Sequence, residues 1–268
     1  MGDFVYYILL GALYFLVFML GASVFSFLNV AVYRFPLKMS FVKGRSFCPS
    51  CKKTLSASEL VPIFSYIFLG GKCKGCGAKI PIYDLLSEIF GGLLSVFCFI
   101  FYDVFLLMTF QSFLRALLCF ALFALLFAIS VIDIKTLKIP DGFVLSVAVA
   151  AFFSIFAFPV ISLLDRVIGA FAVSFPMLLL AYLIQNAFGG GDIKLMAAAG
   201  LFLGWKLCLL SFFVGGVASG IYAMAMIALK KKKKTDIFAL APFLSFGIAV
   251  ALLFGENILS FYAEFLVI

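Results

Sequence analysis

Seven apolar runs, each near the length that crosses a bilayer, dominate the chain and leave it few ways to fold. They fall at about residues 4–32, 82–102, 111–132, 142–160, 164–188, 206–229 and 237–266, against the roughly 20 residues a spanning helix needs. A shorter run, about 193–203, follows the stretch "GGGDIKLMAAAG" and ends at Gly204-Trp205. Hydrophobic residues make up 66% of the chain, where a soluble domain holds about 45–50%. No single globular core hides that excess. The expected fold is an all-α polytopic membrane protein of about eight transmembrane helices. The first run is too long for a signal-peptide core and lacks a basic leader, so it reads as a retained helix.

Positive charge sets the orientation. Nine basic residues, from Arg34 to Lys79, lie between runs one and two. Lys135 and Lys138 follow run three, Lys194 follows run five, and Lys230 to Lys234 follow run seven. Seventeen of the twenty Lys and Arg residues thus fall on alternate loops, which eight crossings place on one side. Only Arg115, Arg166 and Lys206 fall opposite. The basic loops are then cytoplasmic and the N-terminus lies outside. The net charge of +8 reads as topology, and the lysine run as a solvated loop facing lipid headgroups rather than a nucleic-acid site. Histidine is absent. That excludes histidine general bases, Ser-His-Asp and Cys-His nucleophiles and histidine metal sites.

Three regions follow: a first transmembrane helix over 1–33, a cytoplasmic insert over 34–81, and a seven-helix membrane core over 82–268. The insert holds four of the seven cysteines, as "CPSC" at 48–51 and "CKGC" at 73–76. A region so small needs a staple. Two such knuckles suit a closed structural zinc site of four thiolates, Cys48, Cys51, Cys73 and Cys76. Gly75 and Gly77 supply turn freedom. Two disulfides are the competing reading, and a reducing cytoplasm opposes them. Cys98, Cys119 and Cys208 lie in apolar runs and read as packing residues.

Two acids sit at the cytoplasmic margin on this topology: Asp133 in "AISVIDIKTLKIPDGF" and Asp192 in "FGGGDIKLM". Ionisable residues at such depth are functional candidates. Two carboxylates sharing a site hold one proton between them, the arrangement an aspartic protease uses to activate water and protonate the scissile amide. Gly189, Gly190 and Gly191 remove side chains before Asp192, so a substrate backbone could approach. The blander reading has each acid capping a helix or pairing with Lys135 or Lys194. Asp141 reads as the N-terminal acid of the fourth run, or as support for the pair. Asp84 and Glu88 share one face of the second run at i, i+4. They read either as interfacial anchors or as a polar pocket under the cysteine module.

With these residues in place, the chain resembles the bacterial type IV prepilin peptidase family, membrane aspartic proteases of the Gly-x-Gly-Asp type also called leader peptidase/N-methyltransferases. "GASVFSFLNVAVYRFP" (21–36) looks like the family's opening, and "CPSCKKTLSASELVPIFSYIFLGGKCKGCGAKIPIYDLLSE" (48–88) its cysteine module and following helix. "DIKTLKIPD" (133–141) and "GGGDIKLMAAAGLFLGW" (189–205) look like its two catalytic motifs, and "FALAPFLSFG" (238–247) its last helix. The resemblance implies Asp133 and Asp192 as the catalytic pair, supported by the three glycines, Asp141 and Lys194. It implies zinc on the four cysteines and a bacterial inner-membrane location. It implies type IV prepilin or pseudopilin precursors as partners, cut on the cytoplasmic side after a glycine, within membrane lipid and without nucleic acid. It further implies methylation of the new amine from S-adenosylmethionine, with Glu59, Asp84 and Glu88 set beside that site. A peptidase without methyltransferase activity, and a transporter or assembly protein with an acidic ion site, are the alternatives. Ala239 and Ala241 stand where the family often has glycine or proline, and neither is expected to touch the aspartates.

Overall fold

The computed structural model describes residues 2–40, 44–184, 187–230 and 238–266; most of the lysine run lies outside them. Every apolar run folds as helix. The chain divides into two compact units, Met1–Phe120 and Ala121–Ile268.

The first unit opens with α1, Gly2–Arg34. The insert follows, with a 3-10 turn at Ala57–Glu59 and α2 at Phe64–Phe68. Then come α3 (Ile82–Phe101), α4 (Val104–Leu107) and the start of α5 (Phe110–Thr136). Small residues let α1 and α3 pack closely, as apolar helices in lipid do. A Cβ on Gly91 would overlap the Phe25 ring, and one on Gly92 the Phe18 ring. Ser95 donates to the Val17 carbonyl across the contact at 2.9 Å. Lower down, Asn29 Nδ2 donates to Ser87 Oγ at 2.7 Å. The insert is tied to the end of α1 by Arg34, which donates to the Ser40 and Arg45 carbonyls, each at 2.9 Å, and faces the Phe47 ring.

The second unit holds the rest of α5, then α6 (Asp141–Ala157), α7 (Leu163–Ala172), α8 (Ser174–Leu183), α9 (Gly190–Leu203), α10 (Trp205–Ala228) and α11 (Ala241–Leu266). The run read as one segment over 164–188 is interrupted at Val173. Pro176 offers no N–H to the turn before it, and the Ser174 hydroxyl bonds back to the Ala170 carbonyl. Gly169 of α7 and Gly200 of α9 meet backbone to backbone, where a Cβ on either would overlap the other's main chain. Gly215 and Gly247 likewise let α10 and α11 approach, where added Cβ atoms would overlap the Phe243 and Ser211 carbonyls.

Among the described residues, six spans are long and apolar enough to cross a membrane, counting α7 and α8 as one. The chain is an all-α polytopic membrane protein. The remaining two apolar runs form α6 and α9, of 17 and 14 residues.

Candidate functional site

In the second unit, Asp133 lies in the last turn of α5 and is 5% exposed. Its Oδ2 accepts the Ala241 N–H at 3.1 Å, with the Leu240 N–H also bonded to the carboxylate. These donors open α11, where the helix dipole is positive. Ala241 does touch an aspartate, contrary to the sequence expectation. The contact uses only its main-chain N–H, which no residue letter advertises.

Asp192 is the third residue of α9, and Gly189 is the helix's N-cap. The Gly189 N–H bonds back to the Asp192 carboxylate. Its other oxygen, Oδ1, is buried and has no hydrogen-bond partner. Asp133 stands close enough to act electrostatically on Asp192. The two acids, 59 positions apart in sequence, therefore stand near one another, Asp133 at the end of α5 against the start of α11 and Asp192 at the start of α9 with an open oxygen.

The three glycines have different surroundings. A Cβ on Gly189 would come within 2.9 Å of Asp192 Oδ2, and one on Gly191 within 2.8 Å of the Ile139 side chain. A Cβ on Gly190 would meet nothing within 4 Å. Only Gly190 borders open space; the other two make room for the acid and its neighbour. Asp141 is the first residue of α6, following the N-cap Pro140, which offers no side-chain cap bond. Instead it accepts Lys194 Nζ at 2.7 Å, an exposed ion pair joining the starts of α6 and α9.

One second-unit residue was not singled out from sequence. Arg166 is buried, and its guanidinium donates to the Ser154, Phe158, Leu201 and Phe202 carbonyls at 3.0–3.1 Å and to the Ser154 hydroxyl at 2.5 Å. One side chain thereby covers carbonyls at the ends of both α6 and α9. The available signal was a lone arginine against the charge bias.

In the first unit, the four insert sulfurs all lie within 4.8 Å of one another, Cys48 and Cys76 at 3.9 Å. A tetrahedron of about 2.3 Å Zn–S bonds has edges of about 3.8 Å, so the cluster suits a metal ion. Each knuckle is closed by matching bonds, Cys48 N–H to Lys53 O at 2.9 Å and Cys73 N–H to Ala78 O at 2.8 Å. The left-handed residues are Lys52 (φ 59) and Gly77 (φ 70). Gly75 is not one of them; its lack of a side chain accommodates Lys53 instead. The Cys51 and Ser50 N–H groups lower the Cys48 thiol, while burial and the neighbouring sulfurs raise Cys76, so the four thiols share their protons as one set. Cys98, Cys119 and Cys208 are fully buried.

Glu59, Asp84 and Glu88 line one cavity of about 480 Å³ in this unit, as do Cys48 and Cys73. Glu59 is occupied: it accepts the Ser56 N–H at 2.8 Å and pairs with Lys53 at 3.3 Å. These bonds, the Ser56 N–H foremost, hold its carboxyl at about 2. Glu88 accepts the Ile63 N–H at 2.8 Å, fixing a residue with φ 66.

The model of the bacterial peptidase A24 N-terminal domain matches residues 19–102, and that of the type IV leader peptidase family matches residues 120–224. A prepilin leader peptidase/N-methyltransferase of Bacillus subtilis (strain 168) is 31% identical over 257 residues, covering 93% of this chain and 97% of that protein. Proteins of the same name from Aeromonas salmonicida and Pseudomonas aeruginosa are 27% and 28% identical, each match covering over nine-tenths of both chains. No solved structure matches. With one family model on each unit and a relative aligned nearly end to end, the chain belongs to the type IV prepilin peptidase family of membrane aspartic proteases.

Proposed function

We propose that Asp133 and Asp192 are the catalytic pair of a leader peptidase acting on type IV prepilin or pseudopilin precursors. The observation that carries the reading is the open, buried Oδ1 of Asp192 beside Asp133. A buried carboxylate oxygen without a partner is costly; a water or a substrate carbonyl bound there would satisfy it. One carboxylate takes a proton from the attacking water as its oxygen bonds to the scissile carbon. The other, protonated beforehand, gives its proton to the carbonyl oxygen; as the C–N bond breaks, the first passes the proton it took from water to the departing nitrogen, and the second regains its own from the hydroxyl of the collapsing intermediate. Cleavage after a glycine on the cytoplasmic side, eight crossings counting α6 and α9, and a structural zinc on Cys48, Cys51, Cys73 and Cys76 complete the reading.

A second activity belongs to the first unit: methylation of the new N-terminal amine from S-adenosylmethionine, as the relatives' names include an N-methyltransferase. The 480 Å³ cavity suits such a donor. Tyr66 and Tyr83 offer faces for a base, Lys74 and Lys79 attract a carboxylate, and Asp84 and Glu88 favour a sulfonium. Glu59 serves as the loop's cap.

Asp133→Asn and Asp192→Asn preserve size and one acceptor oxygen but remove the proton chemistry. Each is expected to lower leader removal by about 10²–10⁴-fold, read by mass spectrometry of a prepilin-like peptide. Full cleavage by either variant would sink the assignment. Stripping metal with a strong chelator is expected to loosen the insert, measured as protease cutting between residues 44 and 80 and a matching loss of bound zinc.

A further inference from the structure

A second cavity, of about 310 Å³, adjoins the first within the same unit. The two share Ser26, Val30, Arg34, Ser46 and Leu60 as a common wall, while Ser23, Phe27 and Pro62 border only the second. Ser23, Phe27, Val30 and Arg34 recur at helical spacing, so the second cavity runs along one face of α1, a helix apolar enough to lie in lipid. The carboxylates are confined to one of the two spaces, where Lys74 and Lys79 also stand. Glu59, Asp84 and Glu88 border the first alone, and no acid borders the second. The buried Arg34 stands on the shared wall.

We infer that the second cavity receives the other reactant of methyl transfer, the N-terminal end of the cleaved membrane segment, an apolar peptide ending in a free amine. This rests on the reading of the first cavity as the donor site. In the transfer, the amine lone pair bonds to the methyl carbon. The carbon–sulfur bond breaks with its electrons going to sulfur, which leaves as a neutral thioether. The positive charge passes to nitrogen, which then loses a proton to water. An ammonium has no lone pair to give. A site for the acceptor therefore has to favour the neutral amine, whereas the donor site has to favour a cation. A cation beside an amine disfavours its protonation, and carboxylates beside a sulfonium stabilise it. The acids keep to the donor side of the shared wall, and the second space has Arg34 and no acid. The run along α1 suits the remainder of the occupant, whose apolar segment can lie beside the helix while its end reaches the donor.

Ser23 projects from α1 and bonds only to the Met19 carbonyl of its own helix, so a large side chain there fills the second cavity without touching the first. In the full-length protein with a prepilin-like peptide and radiolabelled S-adenosylmethionine, Ser23→Trp is expected to reduce the methylated fraction of cleaved product by about tenfold or more, with donor binding unchanged. Val24→Trp, exposed on the same helix but bordering neither cavity, is expected to keep both. Placing a photoreactive benzoyl-phenylalanine at Phe27 is expected to capture the N-terminal end of the cleaved product. Undiminished methylation by Ser23→Trp, loss of donor binding along with methylation, or capture of lipid alone would overturn the inference. Absence of donor binding in the unaltered protein would remove the donor-site reading, and the inference with it.

Discussion

At the scale of single residues, the three glycines before Asp192 make a graded test. Gly190→Ala is expected to keep near-normal leader removal, since its Cβ meets nothing. Gly189→Ala drives a methyl toward the Asp192 carboxylate, and is expected to cost on the order of tenfold in rate or more, about 1.4 kcal/mol. Gly191→Ala pushes on Ile139, a side chain that can shift, and should fall between them. Rate constants on one peptide substrate check the order; equal losses at all three would point to a flexible hinge instead. The glycine letters alone did not separate these roles, because they depend on what each missing side chain would strike. The acids were legible, since carboxylates are scarce in apolar sequence and two on one margin stand out. The Ala241 contact was not, because a main-chain donor leaves no trace in residue type.

At the scale of helices, length and hydropathy make the runs readable, whereas their ends are set by partners distant in sequence. Arg166 was read from sequence only as an exception to the charge bias. In the structure its charge is spent inside the protein, on carbonyls at the ends of α6 and α9. Arg166→Met would strand those carbonyls while relieving the desolvation of one cation. The net loss is expected to be about 3 kcal/mol, seen as a lower unfolding temperature in detergent. Arg166→Lys, with a point charge in place of a planar fork, is expected to recover only part of it. The break at Val173 was marked in advance by Ser174 and Pro176, but one uninterrupted apolar run masks such punctuation.

For the whole molecule, the charge bias and the helices make one joint statement about sidedness. The proposed eight crossings would put Lys138 and Lys206, both exposed, on opposite faces. Lys206→Cys is expected to react with an impermeant thiol reagent added outside intact cells, and Lys138→Cys only after the membrane is opened. Labelling of both from the same side would remove either α6 or α9 from the count. Setting Arg166 aside strengthens the bias, because a charge buried at helix ends is not part of a loop.

The brevity of α6 and α9 carries a further consequence. Their 17 and 14 residues reach about 25 and 21 Å, while a typical hydrocarbon slab is about 30 Å thick. The ion pair between Asp141 and Lys194 holds their starts together, and Arg166 gathers their ends, so the shortfall of each adds to that of the other at one place. With α6 and α9 as crossings, as proposed above, lipid beside the pair thins to meet them, as in any hydrophobic mismatch. A dimple of that kind brings water and polar headgroups down toward Asp192. The bilayer itself then helps admit the water that hydrolysis consumes, and acyl-chain length becomes a control on the rate of a protease.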